Sequence, residues 1–127
     1  YKDLFEEYGM GSTIWSPLAS GALTGKYLDG IPEGSRATLK GYEWLKKYMI
    51  DSERGQARMD KVRNLKPIAD ELGISLSKMS IAWCLLNPNV STVILGASKV
   101  DQLKENLEAL EVVPLLTEDV QKKLAGI

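Results

Sequence analysis

The chain has no histidine and only one cysteine, Cys84, among its 127 residues. It therefore carries no side chain whose unperturbed pKa lies between about 5 and 8, and a lone thiol cannot close an internal disulfide. Charge of one sign is missing too: sixteen Lys and Arg oppose seventeen Asp and Glu, a net charge of -1, with the signs interleaved. Such a surface projects no field that would favour nucleic acid or anionic lipid. The apolar stretches fall well short of the roughly 20 residues a membrane helix needs, and no signal-peptide pattern precedes Tyr1. These absences predict a soluble, cytoplasmic protein with no nucleic-acid partner.

What is present is an ordinary globular composition, 44% hydrophobic and 26% charged, at a length suited to about one domain. The chain opens on Tyr1 rather than Met, and residues 1–9 read as the last turns of a helix ended by glycine, so its start reads as cut. Ser12-Thr13-Ile14-Trp15-Ser16 is β-branched and aromatic and runs into Pro17, which predicts a strand followed by a loop. Closely spaced glycines and prolines then keep much of 18–54 irregular, with a short helix expected over 39–49. A loop of that length is usually functional.

Apolar residues from Met59 to Leu72 recur every three or four positions, predicting a helix over 54–72 despite Pro67, with Gly73 as its stop. Ser75 is expected to cap a largely buried helix over 76–86, in which Trp83 and Cys84 read as core. The unbroken apolar run Val90–Leu95 predicts a strand buried on both faces. Ser98 is expected to cap a helix over 99–110 with Leu103, Leu107 and Leu110 on one stripe, and Thr117 a terminal helix. Two buried-type strands separated by helices imply parallel pairing in an α/β protein, yet two strands cannot satisfy their own edges. A closed (β/α)8 barrel needs about 250 residues. The pattern suits its C-terminal part.

In such a barrel the chemistry sits at the C-terminal ends of the strands. Two segments hold that place: Trp15–Gly21 with Leu23-Thr24-Gly25-Lys26-Tyr27, and Gly96-Ala97-Ser98-Lys99 at a helix start. Small residues after a strand let backbone amides approach a phosphate, and a helix N-terminus favours an anion. Lys26, Arg36 and Lys99 add positive charge, and Trp15 offers a flat face to an aromatic ring. On residue type alone, Trp15 reads more often as a core aromatic than as a cofactor platform, the lysines as solvated charges, and Ser98 as a helix cap under either reading.

Trp15-Ser16-Pro17-Leu18-Ala19-Ser20-Gly21, Gly25-Lys26-Tyr27, Gly30-Ile31-Pro32, Ser35-Arg36, Ile81-Ala82-Trp83-Cys84-Leu85, Gly96-Ala97-Ser98, Gln102-Leu103 and Glu105-Asn106 together resemble aldo-keto reductases of the voltage-gated potassium channel beta-subunit type. Order and spacing hold from Leu4 to about Pro114. The resemblance implies a (β/α)8 TIM barrel, of which residues 1–127 would be the C-terminal portion of one domain, with strands 7 and 8. It implies bound NADPH: Trp15 on the nicotinamide, Ser16, Pro17, Leu18, Ala19 and Ser20 along the pyrophosphate and ribose, and Lys26 on the phosphates. Arg36, Ser98 and Gln102 would hold the adenosine end with its 2'-phosphate, and Gly96, Glu105 and Asn106 the adenine pocket.

Ser20 stands where channel subunits often carry cysteine, and Gly34 where they can carry tyrosine. The family's catalytic Asp, Tyr and Lys lie on earlier strands, so no residue here is assigned a catalytic or metal-binding role. Two functions follow from the resemblance. One is an NADPH-dependent reductase of small carbonyl substrates, completed by the N-terminal half of the barrel. The other is a redox-sensing, tetrameric beta subunit of a potassium channel.

Overall fold

Gly9, at φ +63°, ends the first helix, α1 (Lys2–Glu6), and turns the chain into strand β1 (Ser12–Trp15). A computed structural model describes all 127 residues. After β1 comes a kinked 3-10 segment, Ala19–Thr24, then a second 3-10 turn, Arg36–Thr38, and the short helix α2 (Trp44–Met49). Helix α3 (Glu53–Glu71) and helix α4 (Leu76–Leu85) follow, then strand β2 (Val90–Ile94). The chain closes with α5 (Val100–Leu107), α6 (Ala109–Val112), a 3-10 turn at Val113–Leu115 and α7 (Glu118–Ala125).

Ser75 and Thr117 cap helices as the sequence predicts, and Ser52, which the pattern does not single out, caps α3. Gly55 N–H donates to Ser52 Oγ at 3.0 Å, Lys78 N–H to Ser75 Oγ at 3.2 Å and Val120 N–H to Thr117 Oγ1 at 3.5 Å. Each satisfies one amide that the first turn leaves without a helical partner. Gly73, at φ +69°, stops the chain just beyond α3.

The core lies among α2, α3, α4 and α6, with the 19–37 loop wound over it, and Tyr27, Leu45, Met49, Met59, Met79 and Ala82 form its centre. Gly55 is where α3 meets α2 most closely. A Cβ there would stand 2.8 Å from the Met49 carbonyl carbon and 2.9 Å from the Lys47 carbonyl oxygen, both backbone atoms that cannot swing aside. In the full-length protein Gly55→Ala is expected to cost about 1–3 kcal/mol, the usual penalty of overpacking. A denaturant midpoint equal to wild type would show that the two helices do not meet this way.

β1 and β2 pair in parallel, with Thr13 opposite Thr92, Ile14 opposite Val93 and Trp15 opposite Ile94. Helix α4 covers one face of this two-stranded sheet, toward which Ile14 and Val93 are half-buried. Thr13, Trp15, Thr92 and Ile94 stand exposed on the other. The expectation that β2 is buried on both faces is therefore corrected: an unbroken apolar run records what a strand can bury, and only one layer is present to bury it.

Three further expectations change. Trp83 is 57% exposed rather than core, because α4 turns Met79 and Ala82 to the interior and Trp83 outward. The helix expected over 99–110 breaks at Glu108 into α5 and α6. Its stripe of Leu103, Leu107 and Leu110 lies exposed, while Asn106, Ala109 and Val112 take the buried face. The predicted helix over 39–49 is helical only from Trp44, since Gly41 at φ +87° interrupts it.

Candidate functional site

Parallel pairing brings the C-terminal ends of both strands to one edge of the sheet. The register of Trp15 against Ile94 sets the segment that begins at Ser16 beside the one that runs from Leu95 to Ser98. Residues eighty positions apart in sequence so form one rim.

The first half of that rim is built from unusual backbone. Ser16, Ala19 and Ser20 lie at φ +53°, +49° and +60°, and Gly21 follows at +99°. Each non-glycine residue in the left-handed region costs about 1–2 kcal/mol, so three within five residues persist only because neighbouring bonds hold them. Ala19 N–H donates to Ser16 O at 2.9 Å, Gly21 N–H to Leu18 O at 2.8 Å, and Ser20 N–H to Ser16 Oγ at 3.2 Å. The chain thus coils tightly beneath Trp15, whose indole is 80% exposed at the strand end.

Lys26 folds back onto this coil. Its Nζ would lie 3.5 Å from a Cβ placed on Gly21, and it stands 4.9 Å from the centre of the Tyr27 ring. Arg36 opens the second 3-10 turn, with its guanidinium carbon 4.6 Å above the Tyr42 ring centre. Neither cation takes part in an ion pair, although six other basic residues of the chain do. In this they resemble the chain's other solvent-facing cations, such as Lys40 and Lys61.

On the second half of the rim, Ser98 does not cap the helix as expected. Lys99 occupies the N-cap position and supplies no side-chain acceptor. Instead Gln102, in the first turn, reaches back, and its Oε1 accepts from both Ser98 N–H and Ser98 Oγ at 3.0 Å. The first-turn amides of α5 consequently keep no serine cap, which leaves them open to an anion. Glu105 is half-buried one turn on. Asn106 is 6% exposed and faces the interior.

A profile of the aldo/keto reductase family matches residues 2–124. A rice protein (Oryza sativa subsp. japonica) described as a probable voltage-gated potassium channel subunit beta is 51% identical over 126 residues. The chain belongs to the aldo/keto reductase family. Within it the chain falls in the branch that resembles the potassium channel beta subunits. The alignment takes in 98% of this chain and 37% of the rice protein, so the chain spans little more than a third of that relative's length.

Of the residues singled out in the sequence, the structure brings Trp15 to Ser20 and Lys26 together, and sets Gly96, Ser98 and Gln102 across the same sheet edge. Arg36 stands on a separate turn, tied to the rest through Ala37 and Leu45, both buried in the common core. The left-handed run at Ser16, Ala19 and Ser20 was not legible in the sequence, because serine and alanine carry no signal for positive φ. Nor was Tyr42, six residues from its cation.

Elsewhere, Cys84 is half-buried, and desolvation raises its thiol pKa, which suits an unreactive thiol. Lys78 on α4 is also raised, first by its hydrogen bond to Glu108 and then by Glu108, Glu105 and Glu111 nearby. That contact ties α4 to the α5–α6 junction. No helix is long and apolar enough to cross a membrane.

Proposed function

We propose that the intact protein is a (β/α)8-barrel, NADPH-dependent oxidoreductase of the cytoplasm that reduces aldehydes or ketones. Residues 1–127 would be the C-terminal part of its single barrel domain, supplying most of the cofactor site. The observation that carries this reading is the shared rim: an exposed indole, a coil of small residues and an uncapped helix start stand at one edge of a parallel sheet, served by cations that no carboxylate neutralises.

The surface that remains open supports the barrel. Thr13, Thr92 and Ile94 lie on a face with nothing packed on it, and Leu103 and Leu107 of α5 and Leu110 of α6 are equally uncovered. Both are surfaces that further strands and helices of a barrel would bury. The exposed strand edges point the same way.

The residues present fit the cofactor's chemistry. Trp15 would lie against the nicotinamide, and Ser16 to Ser20 with Lys26 would follow the pyrophosphate, where small side chains permit close backbone approach. Arg36, with Ser98 and Gln102, would take the 2'-phosphate, and Gly96 and Glu105 the adenine; Asn106, which the resemblance also places there, faces the interior instead. When bound, NADPH supplies a hydride to the carbonyl carbon. The residues of this chain hold and orient the dinucleotide, and the proton donor lies outside it.

Titration of the full-length protein with NADPH, followed by fluorescence, tests the reading. Trp15→Ala is expected to weaken binding by about 0.5–1.5 kcal/mol, the range for a lost aromatic stack. Failure of the wild-type protein to bind NADPH would remove the reductase reading. A second reading, a regulatory beta subunit of a voltage-gated potassium channel that binds NADPH as a redox sensor, is favoured by the description of the rice relative. NADPH binding without turnover of any carbonyl substrate, in a tetramer, would support it.

A further inference from the structure

We propose that Tyr42 is a positioning residue for Arg36: its ring holds the guanidinium in place without neutralising it, and so sets the preference for a phosphorylated over an unphosphorylated dinucleotide. The proposal rests on the NADPH reading above and concerns how that site discriminates.

An exposed arginine is flexible, and ordering it on a ligand costs conformational entropy. A carboxylate partner would order it beforehand, but would compete with the incoming phosphate for the same N–H donors. An aromatic face orders it differently. It attracts the cation through its quadrupole and touches the flat side of the guanidinium, leaving the donors along the edge free.

Arg36 lies within the distance such a contact requires. Its guanidinium carbon stands 4.6 Å over the Tyr42 ring centre, and its side chain makes no hydrogen bond or ion pair within the chain. Arg58 offers the contrast. It also lies over a tyrosine, 4.0 Å from the Tyr48 ring centre, but its Nη1 donates to the Tyr48 carbonyl at 2.9 Å, which commits it to structure. Lys26 repeats the uncommitted form over Tyr27.

The Tyr42 ring is itself fixed. It is half-buried and packs against the core cluster, and the backbone around it is pinned on both sides. Tyr42 N–H donates to Leu39 O at 3.1 Å, and Leu45 N–H to Tyr42 O at 2.9 Å. Ala37 and Leu45, 2% and 0% exposed, anchor the segment at either end. The ring is a shelf on rigid ground, and Arg36 takes its position from it.

The test uses the full-length protein, titrated with NADPH and separately with NADH, as wild type, Tyr42→Phe, Tyr42→Leu, Arg36→Ala and the double variant Arg36→Ala/Tyr42→Leu. Tyr42→Phe keeps the ring face and is expected to bind both cofactors as wild type does. Tyr42→Leu is expected to weaken NADPH about two- to five-fold, the size of an exposed cation–π contact, and to leave NADH unchanged. Tyr42→Leu should add nothing in the Arg36→Ala background. Equal weakening of both cofactors, or no change in either, would overturn the positioning role while leaving the cofactor site intact. If Arg36→Ala itself leaves the ratio of NADPH to NADH affinity unchanged, the assignment of Arg36 to the phosphate fails, and the role of Tyr42 with it. Should Tyr42→Leu not fold, Tyr42→Met, also without a ring, takes its place under the same criteria.

Discussion

Arg36→Ala in the full-length protein is expected to weaken NADPH binding about 10- to 100-fold and to leave NADH binding nearly unchanged. Hydrogen bonds to a charged partner contribute about 1.5–3 kcal/mol, and about 1.4 kcal/mol is a factor of ten in affinity. The expectation is large because Arg36 has no carboxylate or hydrogen-bond acceptor to relinquish before it meets a phosphate, and its contact with the Tyr42 ring leaves it charged. An exposed cation is screened by salt, so the loss should shrink as ionic strength rises. Paired titrations with the two cofactors at two salt concentrations check both points. An equal loss for NADPH and NADH would place Arg36 elsewhere on the dinucleotide, or make its role structural.

Leu45→Ala is expected to have the largest effect on stability, about 2–5 kcal/mol, the usual range for emptying a buried leucine site. Leu45 is fully buried on α2, a helix that packs against both the Arg36–Thr38 turn and α3 and shares the core with Met59 and Val62. Urea unfolding of the full-length protein should show a lower midpoint at unchanged slope. A loss under about 1 kcal/mol, well below that cavity range, would mean that α2 is not part of the core. The same substitution should loosen the segment that carries Arg36. A fall in NADPH affinity larger than that in NADH affinity is therefore expected to accompany the fall in stability.

The two predictions draw on different kinds of information. That Arg36 is a candidate for the cofactor site could be read from the chain, since Gly30-Ile31-Pro32 and Ser35-Arg36 belong to a set of motifs whose order and spacing carry the family resemblance. That it is stacked on Tyr42, and so stands ready without a carboxylate, could not. Tyr42 lies in a stretch where glycines hide any period, and the sequence marks it as one tyrosine among five.

Local signals gave the elements well. Ser52, Ser75 and Thr117 begin helices because a hydroxyl there accepts an amide the helix leaves over, and Gly73 ends one because it takes φ +69° without strain. Ser98 fits the same rule and yet does not cap, because the helix begins one residue later, with Lys99 at the N-cap position, and the Ser98 N–H and hydroxyl donate to Gln102 Oε1 instead. Two acceptors within reach of one helix start make the outcome a matter of geometry.

By itself the sequence determined the positions of the strands and long helices, the parallel pairing and the family. These follow from periodicity, caps and motif spacing, which act over a few residues or are counted along the chain. Only the tertiary structure decided which faces are covered. The leucine stripe of α5 and α6, the indole of Trp83 and one face of β2 are apolar and yet exposed, because burial depends on what other layers are present. It also decided the left-handed coil at Ser16, Ala19 and Ser20 and the stacking of Arg36 on Tyr42. Both are short-range arrangements that residue type does not announce: the coil is held by hydrogen bonds among residues 16–21, and the Tyr42 ring is placed by its packing on the core.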